Sequence, residues 1–252
     1  DSPASTSGRV ARSADGRTIV MTRGREILLG LVKDDGTPAP IVKLTPDAPE
    51  PIGPDRPSPD PPPGPRGRGD GPRSWRDLAL SPDGRRLFLV SPDEAGAWSI
   101  DGAHLQRLSW PFPARATRLA MAPDGRTIAV GCAIGPVGSP PTWVVLLIDV
   151  ADGHLRHRID IAEEGGGGFV TALAFSPDGR ELAIASREQI RLWSLAGKSP
   201  APFVRLGGHH GLVSVLAYDP QGRHLASGSF DGTAKVWDLD HVRDELAGLG
   251  LD

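Results

Sequence analysis

Serine, histidine and aspartate together invite a hydrolytic reading, because a histidine held by a carboxylate can take the proton of a hydroxyl. The sequence offers such a set in His209, Ser227 and Asp231. Ser227 lies inside a strand-like segment, so the three read as a buried hydrogen-bonded group rather than as a nucleophile and its base. Other groupings lead less far. His209 and His210 are adjacent and tend to point apart in a strand or turn, and there is neither an HExxH motif nor a Cys/His pair at ligand spacing. Glu163 and Glu164 precede Gly165 to Gly168 and read as a solvated loop. That glycine run lacks the Gly-Lys-Ser/Thr ending and the following helix of a phosphate-binding loop. The one cysteine, Cys132, cannot form an internal disulfide and reads as a small core residue. The sequence therefore gives no catalytic, cofactor-binding or metal residue.

The elements that hold these side chains show themselves through a repeated phrase. It occurs as Ser13-Ala-Asp-Gly-Arg17, Ser81-Pro-Asp-Gly-Arg85, Ala122-Pro-Asp-Gly-Arg126, Ser176-Pro-Asp-Gly-Arg180 and Asp219-Pro-Gln-Gly-Arg223. The starts lie 68, 41, 54 and 43 residues apart; two of these gaps match a four-stranded repeat of roughly 40–45 residues, and the other two carry insertions. Proline presets φ for a turn, aspartate bonds its own backbone and glycine accepts positive φ. Alternating apolar segments flank the phrase, as in Thr171-Ala-Leu-Ala-Phe175 and Glu181-Leu-Ala-Ile-Ala185. Period-two alternation about a tight turn predicts a β-hairpin with a buried face. Third strands are predicted over 26–31, 97–100, 143–150, 189–195 and 233–239, and fourth strands over 41–44, 104–108, 154–159 and 203–206. No helices separate the units, which excludes a βαβ architecture.

The last unit carries a specific resemblance. Leu206-Gly-Gly-His-His-Gly-Leu-Val213, Leu216-Ala-Tyr218, Leu225-Ala-Ser-Gly-Ser229, Asp231-Gly-Thr233 and Val236-Trp-Asp-Leu239 together resemble a WD40 repeat. The fourth unit, ending Ile190-Arg-Leu-Trp-Ser-Leu195, resembles it less completely, and the second ends Ala97-Trp-Ser-Ile100. The first and third are degenerate, with Leu29 and Ile148 where the tryptophan falls. The resemblance implies an all-β fold, a WD40-type β-propeller of four-stranded antiparallel blades, about five of them visible, incomplete or open, with a short C-terminal helix. It also implies a structural blade network of His209, Ser227, Asp231 and Trp237, whose buried imidazole and indole need such partners. The fourth unit is read as keeping Ser186 and Trp193 of that network.

The expected layout is a degenerate first blade at 1–44, a Pro-rich disordered insertion at 45–73, blades at 74–110, 111–161, 162–206 and 207–239, and a helical tail at 240–252. The insertion includes Pro57-Ser-Pro-Asp-Pro-Pro-Pro-Gly-Pro65 and is expected to be extended; Arg68-Gly-Asp70 within it reads as chance. Val242, Leu246 and Leu249 give the tail helical periodicity, with Asp240 as N-cap and Gly250 as stop. Such a tail supplies no fourth strand, and residues 1–8 offer none. The missing initiator Met points to a piece of a larger protein. Three explanations for the open fold stand side by side: lost upstream blades, an arc protected by its tails, or chains that complete one another by self-association through unclosed blade edges.

Charge and composition narrow the function. A net charge of −3, from 28 basic and 31 acidic residues, is no footprint for nucleic acid. No apolar run is long enough for membrane insertion. Arginine far outnumbers lysine, and with the glycine and proline excess this points to a GC-rich bacterial gene. The reading is a non-catalytic scaffold for a protein partner, cytoplasmic and without cofactor, with contacts on the loops 38–73, 133–142 and 163–168 or on the top rim. The alternatives are a sensor or regulatory domain of a larger multidomain protein and, further off, a metal-dependent propeller hydrolase. The inner strands carry mainly Ala, Leu, Val and Thr where such a hydrolase needs Glu, Asn, Asp or His.

Overall fold

The computed structural model describes residues 8–33, 35–44, 75–91, 94–102, 104–108, 115–135, 141–161 and 168–248. The chain divides into two compact units, Asp1–Ser109 with Gly135–Pro140, and Trp110–Ile134 with Pro141–Asp252. The Pro-rich stretch 45–73, Glu163 and Glu164, residues 1–7, Leu249 and Gly250 lie outside the described residues.

The first unit holds two antiparallel sheets. One runs in the order β1 (Gly8–Arg12), β2 (Thr18–Arg23), β3 (Glu26–Leu31) and β4 (Val42–Leu44). The other runs β5 (Asp77–Leu80), β6 (Arg86–Val90), β7 (Ala95–Asp101) and β8 (His104–Leu108). Val20, Ile27 and Leu29 of the first sheet pack with Leu87, Leu89 and Trp98 of the second in one core, all fully buried.

The second unit holds three sheets. The third has β9 (Ala116–Met121), β10 (Thr127–Ile134), β11 (Thr142–Asp149) and β12 (Leu155–Asp160) as neighbours in order. The fourth repeats this with β13 (Val170–Phe175), β14 (Glu181–Ser186), β15 (Gln189–Ser194) and β16 (Ala201–Leu206). The fifth has three described strands, β17 (Val213–Tyr218), β18 (His224–Ser229) and β19 (Ala234–Asp238), followed by helix α1 (Leu239–Gly248). The fold is thus all-β, built of small meanders in which each strand pairs with the next.

The recurring phrase builds the first hairpin of every sheet. Its glycines Gly16, Gly84, Gly125, Gly179 and Gly222 all sit at φ between 68° and 73°, a left-handed region costly for side-chain-bearing residues. The leading serine does more than open the turn. Ser176 Oγ donates to Asp178 (2.6 Å) and accepts the Glu181 amide (2.9 Å), while the Arg180 amide donates to Asp178 (3.0 Å). Ser13 and Ser81 repeat the pattern. In the fifth hairpin Asp219 replaces the serine and accepts the amides of Arg223 and His224.

Within the second unit, sheets stack by one rule. Leu182, Ile184 and Trp193 of the fourth sheet face Ala129, Val145 and Leu147 of the third. Leu216, Leu225 and Trp237 of the fifth face Ala183, Ala185 and Leu192 of the fourth. A face of small and aliphatic residues thus receives a face carrying leucine and tryptophan. Close approach is enforced at Gly131, where an added Cβ would lie 2.7 Å from Val170 Cγ1.

Three expectations are corrected. Register puts Gly30, not Leu29, at the tryptophan position of the first sheet: Ile19 pairs with Gly30 as Leu182 pairs with Trp193. The N-cap of α1 is Asp238, which accepts the His241 amide at 3.1 Å, and the helix begins at Leu239, one residue before the expected cap Asp240. The third correction, at Ser186, belongs to the site.

Candidate functional site

The polar residues of the fifth sheet come from three places. His209 lies on the loop from β16 to β17, Ser227 on β18 and Trp237 on β19, while Asp231 and Thr233 lie on the β18–β19 turn. The loop reaches the turn because Gly211 carries no side chain: a Cβ there would stand 2.8 Å from the Asp231 amide nitrogen.

A single chain of hydrogen bonds links these groups. The Trp237 indole donates to Ser227 Oγ at 2.9 Å, and Ser227 Oγ lies 2.8 Å from His209 Nε2. His209 Nδ1 lies 3.1 Å from Asp231 Oδ2 and 3.2 Å from Thr233 Oγ1. Counting donors assigns the protons. An ionised Asp231 accepts from Nδ1–H, so Nε2 accepts from the Ser227 hydroxyl, whose oxygen in turn accepts from Trp237. Thr233 Oγ1 also donates to Asp231 Oδ1 at 2.6 Å, and the His210 amide donates to Oδ2 at 2.9 Å. The Thr233 hydroxyl, then the His210 amide, and less strongly His209, hold the Asp231 carboxyl well below the ordinary carboxylate range. His209 and Trp237 meet edge to face at 6.4 Å, and Lys235 lies over the indole at 5.9 Å.

The four residues expected in this network thus lie within hydrogen-bonding reach of one another, and Thr233 adds a fifth. Its signal was present in Asp231-Gly-Thr233, a hydroxyl two residues beyond the carboxylate. Although the serine, histidine and aspartate make triad-like contacts, a hydrolytic role needs a reachable hydroxyl. Ser227 is 3% exposed, faces the fourth sheet, and its oxygen already accepts the indole N–H.

The fourth sheet answers the same register differently. Leu182 pairs with Trp193 as Leu225 pairs with Trp237, so the position of Ser227 is taken by Ile184, and Ser186 corresponds to Ser229. Ser186 is therefore no counterpart of Ser227. Trp193 Nε1 and Ser186 Oγ are both buried with no hydrogen-bond partner among the described residues, as is Trp98 Nε1 in the second sheet, where Leu89 holds the serine position. Trp98 is held by aromatic packing instead. It meets Trp75 edge to face at 5.9 Å, and Arg107 lies 5.4 Å from its ring centroid.

Two surface features flank the network. Phe230, on the β18–β19 turn, is 78% exposed. The turn beneath it is fixed: the Phe230 amide donates to the Leu212 carbonyl (2.9 Å), Ser229 Oγ donates to the Gly211 carbonyl (2.9 Å), and the Asp231 amide donates to Ser229 Oγ (3.1 Å). On the hairpin side, a cleft of about 680 Å³ is lined by Pro177, Glu181, Phe203, Pro220, Arg243 and Leu246. Arg243 of α1 makes a bidentate pair with Glu181 at 3.0 Å to each oxygen, fastening the helix to the fourth sheet. Tyr218 OH donates to the same carboxylate at 3.4 Å, and burial, then the Glu181 charge, pushes its phenol above the ordinary range.

Among the described residues no group of three or more His, Cys, Asp or Glu could hold a metal ion. Also among the described residues, no helix is long and apolar enough to cross a membrane, which says nothing of β-barrels.

A family model described as WD domain, G-beta repeat matches residues 161–194 and 201–238. The second match takes β16 of the fourth sheet with the three described strands of the fifth, so the sequence repeat is offset from the sheet by one strand. No curated protein matches the chain. The two matched repeats, with five meander sheets sharing one turn chemistry and one strand order, support a WD40 β-propeller.

Proposed function

We propose that the chain is a non-catalytic binding scaffold for a protein partner, with its contact surface on the rim where the loops of the fifth blade meet. WD40 propellers commonly mediate protein–protein interaction. The observation that carries the reading is Phe230: a large aromatic side chain, 78% exposed, on a turn held by backbone and side-chain hydrogen bonds. Exposed aromatics on rigid turns bind at little entropic cost and dominate interface energetics. The cleft lined by Pro177, Phe203 and Leu246 offers a second surface. A cytoplasmic location and a regulatory place within a longer chain are parts of the same proposal.

The test is capture from source-cell lysate with the folded chain, read by mass spectrometry, beside a Phe230→Asp variant of equal melting temperature. A protein retained by the parent and lost at least tenfold from the variant supports the reading. Identical retention moves the contact off this rim, and capture of nothing by either chain contradicts a scaffold role.

A further inference from the structure

We infer that the outward face of the fifth blade is the docking face for a second copy of this chain, received through the open face of that copy's first blade. The inference rests on the scaffold reading only in taking the chain to act by protein contact.

The argument is position by position. In the fourth blade, the face toward the fifth is made by Ala172, Ala174, Ala183, Ala185, Ile190 and Leu192, and all but the partly buried Ala174 are at most 5% exposed. The same registers in the fifth blade hold Val215, Ala217, Ala226, Gly228, Ala234 and Val236. The chemistry is unchanged, with small residues on the inner strands and larger aliphatics alongside. Yet Val215 is 52% and Val236 71% exposed, and Ala217, Ala226 and Ala234 are exposed with them. Monomeric surfaces seldom leave so continuous an apolar sheet face open. This face has the composition of one that another blade covers.

What covers such a face is seen twice in the second unit. The third and fourth blades each receive a bulky face from the blade that follows, Leu216, Leu225 and Trp237 in the latter case. The first blade carries a further aliphatic face at these registers, and it is partly open to solvent. In the first blade the corresponding registers are Val10, Arg12, Ile19, Met21 and Leu28, with Gly30 at the tryptophan position, and Val10 is 63% and Met21 40% exposed. The proposed contact continues the existing blade-to-blade interface across a molecular boundary. Charge agrees: Arg12 holds the register of Tyr218, which in the fourth and fifth blades reaches across to the Glu181–Ser194 pair. The fifth blade presents His224 paired with Asp238 there, giving Arg12 an opposing carboxylate. Because the two faces differ, the association is heterologous, and it grows head to tail unless its rotation closes.

The purified chain alone tests this, apart from any partner in a lysate. Sedimentation over a wide micromolar range should show the weight-average mass at least doubling with concentration. Val236→Asp, at a residue exposed in the single chain, should remain monomeric with an unchanged melting temperature. The pairing is then read by disulfide trapping: a chain carrying Val10→Cys mixed with one carrying Val236→Cys should cross-link as a mixed pair several-fold over either like pair. A mass independent of concentration overturns the proposal. So does trapping only between two Val236→Cys chains, or a doubly substituted chain that closes only on itself. None of these failures touches the Phe230 test.

Discussion

The fourth and fifth blades place a tryptophan at one and the same register and surround it in opposite ways. Trp237 sits at the end of a relay through Ser227 and His209 to Asp231, whereas Trp193 faces Ile184 and its indole N–H has no described partner. Yet the apolar fourth blade is the more deeply buried, with Leu182, Ala183, Ile184 and Ala185 at most 2% exposed. The fifth blade leaves one face to solvent and lacks a described fourth strand. Of these two blades, the polar relay stands in the one that lacks stacking on both faces. A blade covered on both sides tolerates an unpaired indole, at about 1–3 kcal/mol, because its neighbours hold the ring. The fifth blade, covered on one side, draws its order from directed hydrogen bonds, which also fix the loops that they join.

The largest contrast is expected at the serines. Ser227→Ala takes away the oxygen that serves Trp237 and His209 together and should lower stability by about 2–4 kcal/mol, or roughly 4–16 °C in melting temperature for a chain of this size. Ser186→Ala removes a hydroxyl with no described partner and should be neutral or slightly stabilising in the same denaturant titration. Equal losses would break the comparison. Next come the tryptophans. Trp237→Phe takes the indole donor from Ser227 Oγ, while Trp193→Phe removes an N–H with no described partner, so the first should cost about 1–2 kcal/mol more than the second.

Acid sharpens the same contrast. The folded carboxyl of Asp231 titrates below its ordinary value of 3.8. Its contribution is therefore complete above that value and fades as the pH falls further. Denaturant titrations between about pH 5 and pH 2 should show a decline that is shallower in Asp231→Asn. A parallel decline in both chains would remove Asp231 from the relay. The smallest effect is at Cys132, fully buried in the third blade, whose thiol burial pushes up to about 12. It should resist alkylation at pH 8 in the parent and in Ser227→Ala alike, since the relay concerns the fifth blade. Rapid labelling in the serine variant would mean that the loss spreads across the unit.

Much of this was legible in the sequence, and the limits have physical causes. The Ser-Pro-Asp-Gly turns and their flanking alternation located the hairpins because a two-residue period and a positive φ are local demands. The relay residues were legible because the last unit retains the full set of offsets. Ser186 was misplaced because a serine in a strand looks the same two residues along, and only pairing to β13 and β15 distinguishes the registers. Leu29 was mistaken for Gly30 for the same reason: one residue of slip turns a strand over. The N-cap falls at Asp238 rather than Asp240 because two aspartates stand at the helix start and geometry chooses between them. The open apolar face of the fifth blade left no mark in the sequence, since its residues match those of a covered face.

The central claim is that the relay beginning at Trp237 orders the rim that carries Phe230, and amide hydrogen exchange tests it most directly. In Asp231→Ala, at neutral pH and well below its melting temperature, the amides of His210, Phe230 and Thr233 should exchange at least tenfold faster than in the parent, while those of β13 to β16 keep their protection. Unchanged exchange at the rim would contradict the account, as would acceleration spread equally over both blades.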